Sequence, residues 1–210
     1  MLVRLPSGLK IAIPPVFFWE SRGADIEIRS RNAFYPDHVT SRLCLELLDE
    51  YVKSIKCRAL LDIGCGSGVL ALTAAHLGVP FAVGLDIDRR AVGISRENAL
   101  RNGLDAKTHW FAGTISAVRG EFDCVVANLP YHVICRIFDD MAGLVGHGGS
   151  LILSGFHDIE WYAVQAMLDS RGLEMERMRS GDLSFCGEPP SGSYTWMAVR
   201  AGRKTSPDTL

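Results

Sequence analysis

The fold prediction starts from residues 60–70, LLDIGCGSGVL. The stretch opens as a short apolar run and reaches three closely spaced glycines, Gly64, Gly66 and Gly68, before residues 69–77 continue with the composition of a buried helix. Glycines at a strand-to-helix turn let the backbone approach a ligand closely, and the helix that follows presents free N–H groups. The stretch therefore predicts a strand, a ligand-binding loop and a helix.

Further apolar runs alternate with helical patterns along the rest of the chain. The predicted strands are 59–63, 81–87, 108–113, 124–128 and 150–156, followed by a final pair at 173–178 and 193–202. The predicted helices are a first one to about Lys53 with Asp37 as its N-cap, and then 69–77, 89–102, 133–145 and 158–171. This alternation indicates an α/β fold with a parallel sheet and helices on both faces. Because the last two strands have no helix between them, they predict a C-terminal antiparallel hairpin.

The chain divides into three parts on the same patterns. Residues 1–32 read as an irregular or short-stranded lead-in, and residues 33–204 form the predicted domain. Residues 205–210 are expected to be a flexible tail.

Composition excludes several classes of protein. The net charge of −2 provides no global basic field that would collect nucleic acid, so an RNA or DNA partner would need a local patch. The six cysteines include no C-x-x-C pair, which predicts free thiols, a reducing cytoplasmic environment and no metal site. The uncharged residues 68–85 are divided by Gly78 and Pro80, so no membrane span is predicted.

An acidic residue at the end of the second predicted strand indicates which kind of ligand the glycine loop binds. Asp86 lies 20 residues beyond Gly66, where a carboxylate can accept hydrogen bonds from both ribose hydroxyls of an adenosine cofactor. A nicotinamide or flavin site favours G-x-G-x-x-G, and the third glycine would then fall at position 69, which is Val69. A nicotinamide oxidoreductase is therefore disfavoured.

The D-x-G-x-G-x-G spacing that begins at Asp62, with an acid closing the second strand, resembles the loop of class I S-adenosylmethionine-dependent methyltransferases. The resemblance implies a Rossmann-like seven-stranded methyltransferase sheet and S-adenosyl-L-methionine as cofactor. It implies that the loop packs against the amino-acid part of the cofactor, that the strand-end acid binds the ribose and that the apolar residue after it lies against adenine. Carried onto this chain, the cofactor-binding residues are Asp62, Gly64, Cys65, Gly66, Gly68, Asp86, Ile87 and Asn128, with Cys65 as a small filler.

The fourth strand ends in Asn128, Leu129, Pro130 and Tyr131, which resembles the N-L-P-Y and [N/D]-P-P-[Y/F] motifs of methyltransferases that modify planar nitrogens. Methyl transfer is an in-line displacement, so positioning of the acceptor nitrogen is a large share of catalysis. The Asn128 side-chain oxygen and the Leu129 carbonyl can accept hydrogen bonds from the nitrogen, Pro130 fixes the corner, and Tyr131 can stack on the planar group. These four residues are the predicted catalytic set.

The segments NAFYPDHVTSRLCLELLDE, LLDIGCGSGVLAL and GLDIDRRAVGISRENALRNG together resemble the catalytic domain of ribosomal protein L11 methyltransferases. The resemblance covers about residues 32–155 and extends to the last hairpin. The chain departs from that family in AFYPDHVTS (33–41), which replaces a glycine-rich segment, in a lead-in too short for the family's substrate-recruiting domain, and in N-L-P-Y where the family continues A-N-I-L. The resemblance thus implies an N-methyltransferase whose macromolecular acceptor is a protein or an RNA or DNA base. The alternative is a cofactor-binding scaffold that has lost catalysis.

Several residues near these motifs allow two interpretations. His38 and Thr40 either lie over the cofactor, as the matching family segment does, or cap and pack the first helix. His132, beside Tyr131, is either a base for the reaction or a solvated loop residue, and His157 with Asp158 could face the cleft. Trp110, with Phe111, is expected to belong to the core.

Overall fold

The computed structural model describes residues 2–14, 23–30, 36–182 and 194–203 of the chain. Its strands are β1 (Leu2–Arg4), β2 (Lys10–Ala12), β3 (Ile26–Glu27), β4 (Ala59–Ile63), β5 (Phe81–Asp86), β6 (Thr108–Ala112), β7 (Phe122–Asn128), β8 (Val145–His157), β9 (Leu173–Gly181) and β10 (Trp196–Arg203). Its helices are α1 (Val39–Ser54), α2 (Val69–His76), α3 (Arg89–Arg101), α4 (Tyr131–Gly143) and α5 (Trp161–Ser170).

Seven strands form the main sheet in the order β6-β5-β4-β7-β8-β10-β9. Neighbours from β6 to β8 pair in parallel, whereas β10 pairs antiparallel with both β8 and β9. The predicted fold class is therefore confirmed, including the C-terminal antiparallel pair. The chain order of the strands reverses between β4 and β7, and a ligand crevice is expected outside their carboxyl ends.

Two hydrophobic clusters cover the two faces of the sheet. One contains the buried faces of α1 and α2, with Leu47, Leu48 and Tyr51 completely buried. The other contains α4 and α5, with Ile134 and Val164 completely buried. This arrangement explains why β4 and β7 are apolar along almost their whole length: each has a helix layer on both sides.

A three-stranded sheet, β1-β2-β3, occupies the predicted lead-in. It pairs β1 with β2 antiparallel and β2 with β3 in parallel. Ile11, Ile26 and Ile28 are almost completely buried and join the same cluster as α1 and α2. The described residues of this region thus form short strands, and they pack into the same core as α1 and α2.

One detail of the first helix was predicted wrongly. Asp37 is exposed, and His38 is the N-cap instead, because its side chain accepts the Thr40 N–H. The helix ends at Ser54, close to the predicted end at about Lys53. The Asp37 side chain lies one position before the cap. The tail 205–210, the turn-rich GEPPSGS segment (187–193) and residues 33–35 of the family-like segment lie outside the described residues.

Candidate functional site

The glycine loop lies between the end of β4 and the start of α2. Gly64, Gly66 and Gly68 have φ values of 73°, 55° and 80°, in the left-handed region that glycine adopts without strain. The N–H groups of Gly64 and Cys65 both donate to the Leu85 carbonyl of β5, at 2.8 and 2.9 Å. The loop is therefore fixed to the neighbouring strand at the carboxyl edge of the sheet.

The surroundings of the three glycines differ. A Cβ atom at Gly64 would collide with the Leu129 side chain, and one at Gly68 would lie 2.7 Å from the Trp110 ring. At Gly66 such an atom would meet only a carbonyl of the loop itself, at 4.0 Å. The loop is thus packed closely at both ends and open at Gly66. Trp110 supports it from the core, as expected for that residue.

Asp86, at the end of β5, lies beside the open part of the loop. Its Oδ2 accepts the Gly66 N–H over 3.0 Å, and its Oδ1 accepts the Asp88 N–H over 2.9 Å. Each carboxylate oxygen can accept more than one hydrogen bond, so a half-buried Asp86 retains capacity for hydroxyl donors. The next residue, Ile87, is 80% exposed.

Asp62 is buried beneath the loop. Its Oδ2 accepts the Ala71 N–H over 3.2 Å, and its Oδ1 has no hydrogen-bond partner among the described residues. Burial raises the pKa of Asp62 to about 7, and the hydrogen bond from Ala71 opposes that rise in part. A cation bound near the loop would favour the charged form of this carboxyl group.

The Asn128 corner follows β7, next to the glycine loop. Asn128 Nδ2 donates to Ser41 Oγ over 3.1 Å, which fixes the orientation of the amide. No described residue donates to the Asn128 side-chain oxygen, so this oxygen remains available as an acceptor. The Leu129 N–H donates to the Ser154 carbonyl of β8 over 3.0 Å, which ties the corner to the sheet.

The rest of the motif starts a helix. Pro130 precedes the first turn of α4, and its carbonyl accepts the N–H groups of Val133 and Ile134 at 2.8 and 3.1 Å. A Cβ atom at Gly155 would collide with the Leu129 carbonyl, so only glycine allows this carbonyl to lie against β8. Tyr131 is partly exposed. The pKa of its phenol is raised, mainly by a hydrogen bond with Cys135 and to a smaller extent by burial.

Aromatic and imidazole rings form a wall near the same edge. The His157 and Trp196 rings lie 3.8 Å apart between centroids, and His38 meets Trp196 edge-on at 5.3 Å. The His157 main-chain N–H donates to Glu160 Oε2 over 2.7 Å. His38 caps α1 through its contact with Thr40, and its ring also contacts Trp196. Burial lowers the pKa of His38.

The structure brings the predicted residues together at one edge, at the ends of β4, β5 and β7. His132, by contrast, is exposed on the first turn of α4. The sequence did not indicate Ser41, the partner of Asn128, although it belongs to the same HVTS segment as His38 and Thr40. It also did not indicate the Trp196 wall, because strands β8 and β10 are paired only in the folded sheet.

A cavity of about 490 Å³ lies at the opposite edge of the sheet, near the start of β8. Its Arg203 guanidinium is already used in hydrogen bonds to the Val145 and Ala142 carbonyls. The glycine loop and Asn128 are far from it along the strands. Within the described residues, no group of three or more metal-ligating side chains occurs and no helix has the length and apolarity of a membrane span.

Comparison with known proteins gives the family to which the sequence is similar. The profile of the family described as ribosomal protein L11 methyltransferase (PrmA) matches residues 33–182. A ribosomal protein L11 methyltransferase of Sorangium cellulosum is 42% identical over 169 residues, which cover 77% of this chain and 53% of the relative. The chain spans about half the length of the curated relatives it matches.

Solved structures resemble the whole fold. The crystal structure of a ribosomal protein L11 methylase from Lactobacillus delbrueckii subsp. bulgaricus superimposes with a TM-score of 0.75 at 21% identity, covering 97% of this chain and 98% of that one. Magnesium protoporphyrin IX methyltransferase from Synechocystis, solved with bound S-adenosylmethionine, has a TM-score of 0.61 at 19% identity, covering 79% and 82%. At these identities the likeness shows the fold.

Proposed function

The chain belongs to the ribosomal protein L11 methyltransferase family, and from that membership we propose that it transfers a methyl group from S-adenosylmethionine to a nitrogen of a protein. The observation that carries the proposal is the convergence of Gly66, Asp86 and Asn128 at the ends of three neighbouring parallel strands. Cofactor loop, ribose-binding acid and acceptor-orienting amide thus share one crevice.

The residues at this edge fit the proposed cofactor. The open side of the loop at Gly66 leaves space for a ligand, and the Asp86 carboxylate offers acceptors to a pair of hydroxyl groups. A positive charge above the loop would favour the ionised form of the buried Asp62, whose Oδ1 has no hydrogen-bond partner within the described part of the chain. The exposed Ile87 offers an apolar surface to a purine ring. S-adenosylmethionine itself supplies an electrophilic methyl group on a sulfonium ion.

The protein's contribution to the reaction is to position the acceptor nitrogen. Asn128 Oδ1 accepts a hydrogen bond from the nitrogen and so directs its lone pair along the line of displacement. The Leu129 carbonyl is the second proposed acceptor, and the positive charge that develops on nitrogen is stabilised by both oxygens. Tyr131 packs against the side chain or planar group that carries the nitrogen.

A protein is the acceptor that the family relationship favours, since the relatives are described by their action on a ribosomal protein. The chain's net charge of −2 agrees, because binding to nucleic acid depends on neutralising many phosphates. Free cysteines, among them buried Cys44 and Cys124, support a reducing cytoplasmic location for the enzyme. We place the catalytic domain at residues 33–204.

Labelling of a cell lysate tests the proposal. The chain is incubated with the lysate and S-adenosylmethionine carrying a labelled methyl group, in samples treated beforehand with ribonuclease, with protease or with neither. The proposal expects label in a protein band that persists after ribonuclease and disappears after protease. Label in nucleic acid, or only in small molecules, would contradict the protein acceptor while retaining the methyltransferase activity.

A scaffold that binds the cofactor without catalysis is the rival function. The intact Asn128 with its ordered partner Ser41 disfavours it, since a scaffold does not require a directed amide. The two functions differ in one observable: a scaffold is stabilised by S-adenosylhomocysteine in a thermal shift assay but transfers no label to any fraction of the lysate.

A further inference from the structure

Helix α3 presents a stripe of polar residues to its neighbours. Ser95, Asn98 and Asn102 follow one another at intervals of three and four, which places them on one side of the helix. Ser95 and Asn98 are at most 1% exposed. Buried amides require hydrogen-bond partners, so the identity of those partners indicates what the stripe holds.

The two asparagines bind the N-terminal strand segment in the same way. Asn102 accepts the N–H of Glu27 and donates to its carbonyl, both at 2.8 Å. Asn98 accepts the N–H of Arg29 over 3.1 Å and donates to its carbonyl over 2.9 Å. Each side-chain amide thus pairs with both the N–H and the C=O of one residue, as a neighbouring strand would do. The two residues that are bound in this way lie two positions apart along one edge of the segment.

The amides differ in their remaining donor. Asn98 Nδ2 also donates to the Ser67 carbonyl of the glycine loop over 2.9 Å, whereas Asn102 Nδ2 donates to the Asn98 carbonyl of its own helix over 2.7 Å. Ser95 Oγ donates to the adjacent loop carbonyl, that of Gly66, over 3.0 Å. Two side chains of α3 therefore fix the Gly66 and Ser67 carbonyls of the loop by hydrogen bonds.

Fixing these carbonyls also fixes the peptide planes of the loop, since each carbonyl is coplanar with the following N–H. The Ser67 carbonyl is the point at which the N-terminal segment and the loop meet, through the single side chain of Asn98. On the basis of the proposed function, we propose that Asn98 is a positioning residue that couples cofactor binding at the glycine loop to docking of residues 26–29.

Such coupling is reciprocal. If docking of the segment favours the loop geometry that binds the cofactor, then binding of the cofactor stabilises docking to the same extent. The Arg29 N–H, bonded to Asn98 Oδ1, reports on docking through its rate of hydrogen exchange. Residues 173–178 of β9 lie at the far edge of the sheet and serve as an internal control for this exchange.

The test uses the full chain and S-adenosylhomocysteine. Asn98→Asp keeps the size of the side chain but removes both donors and opposes a carboxylate to two carbonyls. Asn102→Asp is the matched control, because it makes the same change to the segment without a contact to the loop. We expect Asn98→Asp to raise the Kd at least about tenfold, as for loss of a buried hydrogen bond, and Asn102→Asp to change it less than about twofold.

Hydrogen exchange in the unsubstituted chain provides a second readout that does not depend on the variants folding. Saturation with S-adenosylhomocysteine should slow exchange at Arg29 more than at residues 173–178. The slowing should be lost in Asn98→Asp and retained in Asn102→Asp. Exchange at Arg29 that slows no more than exchange at residues 173–178 would overturn the coupling, and equal Kd changes in both variants would overturn its assignment to Asn98. If the unsubstituted chain fails to bind S-adenosylhomocysteine, the proposed function fails instead.

Discussion

Asn128 Nδ2 donates a hydrogen bond to Ser41 Oγ over 3.1 Å, so the first turn of α1 orients the side chain that ends β7. Ser41→Ala removes this partner but leaves the glycine loop intact. We expect turnover to fall about tenfold, the effect of one net hydrogen bond, with the Kd for S-adenosylhomocysteine within about threefold of its original value. Ser54→Ala, at the other end of the helix, is the control. Unchanged methyl transfer in Ser41→Ala would show that the amide needs no orienting partner.

Asp86→Ala should weaken cofactor binding. The variant loses the proposed hydrogen bonds to ribose and the existing one from the Gly66 N–H. Hydrogen bonds to a charged group contribute about 1.5–3 kcal/mol, so the Kd measured by calorimetry should rise about 10- to 100-fold. Asp88→Ala, which removes the N-cap of α3 and an exposed ion pair with Arg90, should lower stability by about 1 kcal/mol without this loss of affinity. An unaltered Kd in Asp86→Ala would place the cofactor elsewhere.

Tyr131 is predicted to act through its ring. Tyr131→Phe should then be nearly silent, whereas Tyr131→Ala should raise the apparent KM for the acceptor and lower turnover. Steady-state kinetics with the labelled acceptor measure both constants. If Tyr131→Phe lost as much activity as Tyr131→Ala, the hydroxyl group rather than the ring would carry the role. Tyr162→Ala is a useful control, since Tyr162 is 82% exposed on α5.

Asp62 predicts a pH dependence of stability. Its pKa is about 7 in the folded chain against 3.8 as the ordinary value, so folding favours the protonated form. The contribution of protonated Asp62 to the free energy of unfolding is complete below about pH 4 and is lost as the pH rises through about 7. Asp62→Asn removes this titration. Its free energy of unfolding, relative to that of the original chain, should rise by up to ~4 kcal/mol between pH 4 and pH 8. Urea unfolding of both proteins without ligand measures this difference. A difference that stays constant with pH would contradict the burial of a titrating carboxyl group.

The sequence predicted the parts of the site that depend on local order along the chain. The glycines of the loop, Asp86 and the Asn128 corner each follow a buried strand, and parallel strands bring their carboxyl ends to one edge. The strands and helices of the main sheet were predicted for the same reason, with ends that shifted by a few residues. The strand β8 was longer than its apolar run, because Val145 already pairs with Phe122, ahead of an irregularity in the pairing that ends at Ser150.

Contacts between distant parts of the chain could not be read from the sequence. Strands β1 to β3 have only two or three residues each, too few for a periodic pattern. The amides of Asn98 and Asn102 looked like ordinary residues near a helix end, and their partners at Glu27 and Arg29 lie about 70 positions away. Ser41 similarly meets Asn128 across 87 positions. Each of these contacts is fixed by tertiary packing.

The central claim is that Asn128 directs an acceptor nitrogen toward S-adenosylmethionine. The most direct measurement compares Asn128→Ala with the original chain, in methyl transfer to the labelled protein acceptor and in the Kd for S-adenosylhomocysteine. We expect turnover to fall at least about 100-fold, as when one preorganised polar group is removed, while the Kd changes less than about threefold. Full methyl transfer by Asn128→Ala would contradict it, as would a loss of activity that follows only from lost cofactor binding or unfolding.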